Sequence, residues 1–270
     1  MSFAVKAVVL DWAGTMIDHG CRAPVIALQR VFDQAGVPIS EAEARADMGR
    51  AKRDHIRALL AAPRVAAAWR DAHGTDASED DVSRLHDAVE PMMRGAAKDC
   101  ATLIPGAAEL VAQLHAAGVR VASGTGYTRP MMADILPLAA EQGYVPEVVV
   151  CSGDTAEGRP SPLMVWKALV ELGIWPASAC VKIDDAVVGI AEGRHAGAWT
   201  VGLAASGNGV GLDVDALAAL PPDDRSRRIE ASAAELRAAG ADYVIDSVAD
   251  LWPVLETIAG RIAAGEKPAA

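Results

Sequence analysis

The feature that most restricts the fold is a recurrence of short apolar runs separated by segments of helical length. The runs are AVKAVVL (4–10), VRVASG (119–124), EVVVC (147–151), ACVKI (179–183), WTVGLA (199–204) and DYVI (242–245). Near-continuous apolar runs suit strands buried on both faces, and strands that alternate with helices build a parallel sheet covered on each side. An α/β chain is therefore expected. In such sheets ligands bind beyond the carboxyl ends of the strands, so the residues there are the first candidates for function.

The alternation lapses once, between residues 20 and 99, where the patterning is helical and no strand is evident. PVIALQRVF (24–32) carries an apolar face with Val25, Leu28 and Phe32, expected to be exposed. In ISEAEARADMG (39–49) Ser40 precedes Glu43 by three, a capping pair, and Gly49 is a break. RAKRDHIRALLAAP (50–63) reads as a helix stopped by Pro63, and RVAAAWRDA (64–72) and EDDVSRLHDAVEPMM (79–93) as two more. The sheet pattern resumes after LIPG (103–106). This predicts core segments at 1–19 and 100–270 and a helical cap at 20–99.

Lys and Arg number 25 against 36 Asp and Glu, a net charge of −11, which argues against nucleic acid or an anionic membrane as partner. An anionic ligand must be held by a local site. The four cysteines, Cys21, Cys100, Cys151 and Cys180, lie far apart without zinc-type spacing and read as reduced thiols. No run approaches the ~20 apolar residues of a membrane span. Asp11 interrupts the N-terminal run before it could serve as a signal peptide. A cytoplasmic protein is expected.

Four strand ends carry chemistry-bearing residues. The first gives Asp11 with Ala13, Gly14 and Thr15; the second gives SGTGYT, with Ser123, Thr125, Gly126 and Tyr127; the third leads to GRPSP with Arg159; the fourth runs into Asp184 and Asp185. Singly, each reads as a turn or helix start. SGNGVG (206–211) has misspaced glycines for a dinucleotide site and reads as a loop. In order and spacing the set resembles the haloacid dehalogenase superfamily of phosphotransferases, across nearly the whole chain. That resemblance implies a Rossmann-like parallel-sheet core with an inserted α-helical cap. The chemistry is coherent, since phosphoryl transfer needs an in-line nucleophile, a divalent cation and donors for the remaining oxygens. Asp11 and Asp185 are natural Mg2+ ligands, to which the resemblance adds the backbone carbonyl of Ala13. Thr125 and Arg159 would hold phosphoryl oxygens.

In the superfamily's common pattern a second Asp, two residues after the first, protonates the leaving alcohol. General acid help is worth ~10² to 10⁴ in rate, about 3 to 5 kcal/mol. Ala13 therefore implies either a degenerate site or a leaving group that is not an alkoxide. MGRAKRDHIR (48–57) bears on the choice: helical spacing would put Met48, Lys52 and His55 on one side. Under an apolar lid, with Arg50 and Arg53 nearby, both desolvation and like charge would lower the Lys52 pKa. A neutral amine condenses with an aldehyde, whereas a solvated basic face is the plain alternative.

DWAGT with its alanine, Cys21, MGxxKxDH, TGYT and GRPxP together resemble the phosphonoacetaldehyde hydrolase family of that superfamily. The resemblance implies Mg2+-dependent cleavage of the carbon-phosphorus bond of a small phosphonate to acetaldehyde and phosphate. It implies Lys52 as imine former, Asp11 as nucleophile, Asp185 as metal ligand, and Thr125, Gly126 and Arg159 as phosphonate-binding positions. His55, Tyr127, Met48 and Cys21 would surround the imine, with His55 and Tyr127 managing protons; for Cys21 a buried hydrophobe at the hinge serves as well. A homodimer through the cap is also implied, with which an exposed apolar face on the first cap helix is compatible. The fourth motif departs from the family's G-D-T-x-x-D: it reads D-D-A-V-V-G, with Asp184, Ala186 and Gly189 in place of Gly, Thr and Asp. Asp184 is a candidate source of the charge missing at 189.

Overall fold

The computed structural model describes residues 3–269. β1 (Ala7–Leu10) is followed by five helices without a strand: α1 (Arg22–Gln34), α2 (Glu41–Arg45), α3 (Lys52–Ala61), α4 (Pro63–His73) and α5 (Glu79–Asp99). Then α6 (Ala107–Ala116), β2 (Arg120–Gly124), α7 (Arg129–Glu141), β3 (Val148–Val150) and α8 (Leu163–Leu172) restore the alternation. It continues through β4 (Cys180–Asp184), α9 (Val187–Ala196), β5 (Trp199–Leu203), α10 (Val214–Ala218), α11 (Pro222–Ala238), β6 (Tyr243–Ile245) and α12 (Leu251–Ala263). The six strands form one parallel sheet in the order β3-β2-β1-β4-β5-β6. Each coincides with one of the six apolar runs. β1 lies at the centre, Ala7 level with Arg120 of β2 and Cys180 of β4, and all four of its residues are buried. The winding reverses between β1 and β4, which opens a crevice at their carboxyl ends.

The helical cap sits over that crevice. Ser40 and Glu43 form the expected reciprocal cap at α2. Pro63 both ends α3 and opens α4 from its first turn, where its missing N–H costs nothing. Where the chain leaves the core, Asp18 accepts hydrogen bonds from the amides of Arg22 (3.0 Å) and Ala23 (2.9 Å), satisfying the free donors of α1. One expectation is overturned: Val25, Leu28 and Phe32 are buried, because α1 lays its apolar stripe against α5 within the cap. That face is spent internally. The large exposed apolar side chains include Trp166 and Val170 of α8 and the nearby Trp175, all in the core. Among the described residues no helix is long and apolar enough to cross a membrane.

Candidate active site

Asp11 follows β1 directly, and its amide donates to the Ile183 carbonyl (3.0 Å), extending the β1–β4 ladder by one residue. β4 ends in Asp184, with Asp185 next. Neighbouring strand ends thus bring three buried carboxylates together: one oxygen from each of Asp11, Asp184 and Asp185 lies within 4.8 Å of the others. The backbone has to come close for this. A Cβ on Gly14, whose φ is +84°, would stand 2.4 Å from Asp185 Oδ2, and one on Gly207 2.3 Å from Asp185 Cβ.

Arg159 enters the cluster from the loop after β3. Its Nη2 lies 2.8 Å from Asp11 Oδ1 and donates to the Gly124 carbonyl (2.7 Å), its Nε donates to Glu192 (2.9 Å), and its Nη1 is 3.4 Å from Asp184. Lys182 donates to Asp184 Oδ2 (2.6 Å). Burial pushes the carboxyls of Asp11 and Asp185 up; Arg159 opposes this at Asp11, whereas at Asp185 the charges of Asp11 and Asp184 add to it. Burial also works against Asp184, yet Arg159 and Lys182 hold it below its usual value. Around the crevice the buried acids Asp11, Asp184, Asp185 and Glu192 face the buried cations Arg159 and Lys182. Even with Lys52 on the opposite wall counted as a cation the acids are in excess, and the donors are hard oxygens, so the set fits a divalent cation such as Mg2+.

The cap supplies the other wall. Lys52 is the first residue of α3, only 3% exposed, and its Nζ lies 3.7 Å from Met48 Sδ and 6.0 Å from the centre of the Tyr127 ring. Met48 reaches it from the turn before α3 and not from the same helix, because Gly49 (φ +91°) breaks the chain between them. Burial lowers the Lys52 pKa to about 8, with Cys21 and Asp11 working the other way. The expected like-charge contribution of Arg50 and Arg53 is not seen. Arg50, half-buried at the cavity edge, engages Asp47 (3.0 Å), and the exposed Arg53 lies 3.7 Å from Glu79. At pH 7 a lysine so shifted carries far more neutral amine than a solvated one.

Between the walls lies a narrow cavity of about 20 Å³. It is lined by Asp11, Ala13, Cys21, Met48, Lys52, Thr125, Gly126, Tyr127, Arg159 and Asp185, so the structure brings these sequence candidates together. Thr125 is fixed by its amide on the Val150 carbonyl (3.0 Å), and its Oγ1 accepts from the Tyr127 amide (3.1 Å). Gly126 carries no side chain because the cap passes over it: a Cβ there would stand 2.9 Å from the Arg50 carbonyl oxygen. Cys21 is buried in a left-handed conformation (φ 49°), its thiol pushed up by burial and by Asp185 and Asp18. The Tyr127 hydroxyl has no hydrogen-bond partner among the described residues. His55 is not in the lining. It is fully buried with the backbone of Ala44 and Ala46 beside its ring, and burial followed by the Lys52 charge lowers its pKa to about 3, which makes it a neutral imidazole.

Sequence reasoning passed over Lys182 and Glu192. The signal for the first was a lysine inside the apolar run of a central strand, paid for by Gly193, where a Cβ would stand 2.7 Å from Lys182 Cβ. Ser123, by contrast, is taken up by the Trp12 indole N–H (2.6 Å) and does not face the cavity. The anomaly at position 189 has a spatial explanation. A Cβ on Gly189 would stand 2.0 Å from Asp184 Cγ, so the Asp184 carboxylate fills the space that a side chain at 189 would need.

The family model for haloacid dehalogenase-like hydrolases matches residues 5–197. Curated relatives include the phosphonoacetaldehyde hydrolases of Paraburkholderia xenovorans, 49% identical over 264 residues (98% of this chain, 99% of that protein), and Nitratidesulfovibrio vulgaris, 45% identical over 265 residues (98% and 94%). Among solved structures, a phosphonoacetaldehyde hydrolase-like protein from Oleispira antarctica superposes with a TM-score of 0.97 at 43% identity, covering 99% of this chain and 98% of that one. A β-phosphoglucomutase from Clostridium difficile shares the fold alone, at 13% identity and a TM-score of 0.67 over 96% of this chain and 99% of that one. The chain belongs to the haloacid dehalogenase-like hydrolases, and within them to the phosphonoacetaldehyde hydrolase family.

Proposed function

We propose that the chain hydrolyses the carbon-phosphorus bond of phosphonoacetaldehyde, giving acetaldehyde and phosphate. One observation carries the reading: a buried lysine of lowered pKa opens into the same cavity as Asp11, while position 13 offers no acid for an alkoxide. The names of the relatives support it. The Lys52 amine adds to the aldehyde carbon and loses water, forming an imine whose protonated form draws electrons toward nitrogen. Asp11 attacks phosphorus, and the electron pair of the breaking carbon-phosphorus bond passes into the enamine. The enamine takes a proton on carbon, and water hydrolyses the imine to free acetaldehyde and Lys52. A second water cleaves the aspartyl phosphate, releasing phosphate and regenerating Asp11. Thr125, the Gly126 backbone and Arg159 orient the phosphoryl oxygens; Met48, Cys21 and Tyr127 shape the imine pocket, and His55, kept neutral by burial, adds no charge beside Lys52 and is a weak proton acceptor. Asp11, Asp185 and the Ala13 carbonyl would hold Mg2+, whose charge offsets the repulsion between the Asp11 carboxylate and the anionic substrate. Because Lys52 and Asp11 sit on cap and core, closure of residues 20–99 over the crevice assembles the site and excludes water.

The test is phosphate release from phosphonoacetaldehyde with Mg2+, with and without borohydride, followed by peptide mass analysis. Release that borohydride abolishes, with a reduced two-carbon adduct on Lys52, is the expected result. Release that borohydride leaves intact would remove the imine. The pH profile follows from the lowered Lys52 pKa. The neutral amine is the reactive form, so kcat/KM is expected to rise about tenfold per pH unit below about 8 and to level off above it; a flat profile from pH 6 to 9 would contradict this. Asp184→Asn is expected to raise the Mg2+ concentration for half-maximal activity roughly tenfold, the effect of one nearby charge worth about 1 to 2 kcal/mol. An unchanged Mg2+ dependence would deprive Asp184 of that role.

A further inference from the structure

The loop at 206–211, which does not fit a nucleotide site, joins the cap to the carboxylate cluster. From its position after β5, the Asn208 amide donates to Asp185 Oδ2 at 2.6 Å. The Asn208 side chain faces the cap: its Nδ2 donates to the Arg45 carbonyl (3.2 Å) and its Oδ1 accepts from Arg45 Nη1 (3.1 Å). Arg45 ends α2, and its guanidinium also donates to the carbonyls of Gly20 (2.8 Å) and Gly211 (2.9 Å). The loop is shaped to receive it, since a Cβ on Gly211 would stand 2.7 Å from Arg45 Cζ. One cap side chain thus holds both the linker into the cap and the loop that anchors Asp185.

We propose that Arg45 and Asn208 are positioning residues that couple closure of the cap to the readiness of Asp185 for Mg2+; this rests on the metal reading above. The Asn208 amide engages one Asp185 oxygen and fixes the carboxylate plane. Arg45 fixes Asn208 only while the cap lies on the core. A cap that swings away takes Arg45 from Asn208 and Gly211 and frees the loop. Coupling of this kind is reciprocal: a cation on Asp185 favours the closed cap to the same degree that closure favours the cation. Aldehyde capture by Lys52 would then occur preferentially on a core already loaded for the attack on phosphorus.

The experiment is calorimetric titration of Mg2+ into the full-length, substrate-free chain, for the wild type, Arg45→Lys, Asn208→Ala and the double variant. Arg64→Ala is the control, because Arg64 binds Glu43 and the Pro38 carbonyl within the cap. Each single variant is expected to weaken Mg2+ binding about fivefold, the low end of measured couplings, with faster hydrogen exchange at 206–211. The double variant is expected to be no weaker than the worse single, because both cut one connection. A purely structural role would speed exchange or lower Tm without moving the Mg2+ affinity. Unshifted affinity in either folded single variant, or additive losses in the double, overturns the coupling while leaving the metal reading intact. A wild type that takes up no Mg2+ overturns the metal reading and the coupling together. Asn208→Ala keeps the main-chain donor and the fold, so the test stands even where Arg45→Lys fails to fold.

Discussion

Replacing Lys52 by arginine is expected to lower phosphate release from phosphonoacetaldehyde by about 10³-fold or more, roughly 4 kcal/mol of barrier. Arginine keeps the positive charge and the long apolar stem, but its guanidinium stays protonated and does not condense with an aldehyde. Without the imine, the carbon leaving phosphorus has nowhere to place its electron pair. Lys52 is buried beside a narrow cavity, so Tm is measured alongside activity to separate a folding defect from lost chemistry. Phosphate release, Tm and the mass of the borohydride-treated protein check this together. Activity within tenfold of wild type would mean that Lys52 acts by charge alone.

Asp11→Asn is expected to abolish release, on the order of 10⁴-fold or more, because the amide is no nucleophile toward phosphorus. The fold should stand, with Tm within a few degrees of wild type. Arg159 keeps Glu192 at 2.9 Å and Asp184 at 3.4 Å, and Asp185 loses a repulsive neighbour. The informative readout is trapping. Imine formation precedes attack on phosphorus, so Asp11→Asn is expected to give the reduced adduct on Lys52, now with the phosphonate retained. A variant that folds and binds Mg2+ but traps nothing would reverse the order of steps.

Much of this was legible in the sequence because the relevant physics is local. Six apolar runs became six strands, and Ser40 with Glu43 capped α2 as spacing required. The strand-end candidates other than Ser123 converged because a parallel sheet puts its carboxyl ends on one edge. What escaped depends on which surfaces meet. The apolar stripe of α1 is visible in one dimension, but its partner, α5, lies some fifty residues further on, so a buried face was taken for an exposed one. Helical spacing alone groups Met48 with Lys52, but the Gly49 break puts Met48 in the turn before that helix. The arginines beside Lys52 were counted as charges without the acids that engage them. The roles of Lys182 and Arg45 depend on partners fixed only by tertiary structure.

The sharing of one volume by Asp184 and Gly189 restricts how this lineage can change. An acid cannot be added at 189 while Asp184 remains, because the two would collide at 2.0 Å, and removing Asp184 first leaves Lys182 with the Ile183 carbonyl (3.4 Å) and the more distant Glu192 carboxylate (3.7 Å). The two positions are therefore epistatic: they exchange as a pair or through a weakened intermediate. A pattern scan that scores position 189 alone would read Gly189 as decay. Ancestral reconstruction across the family should find the glycine at 189 together with the acid at 184, and chains carrying both acids should be rare.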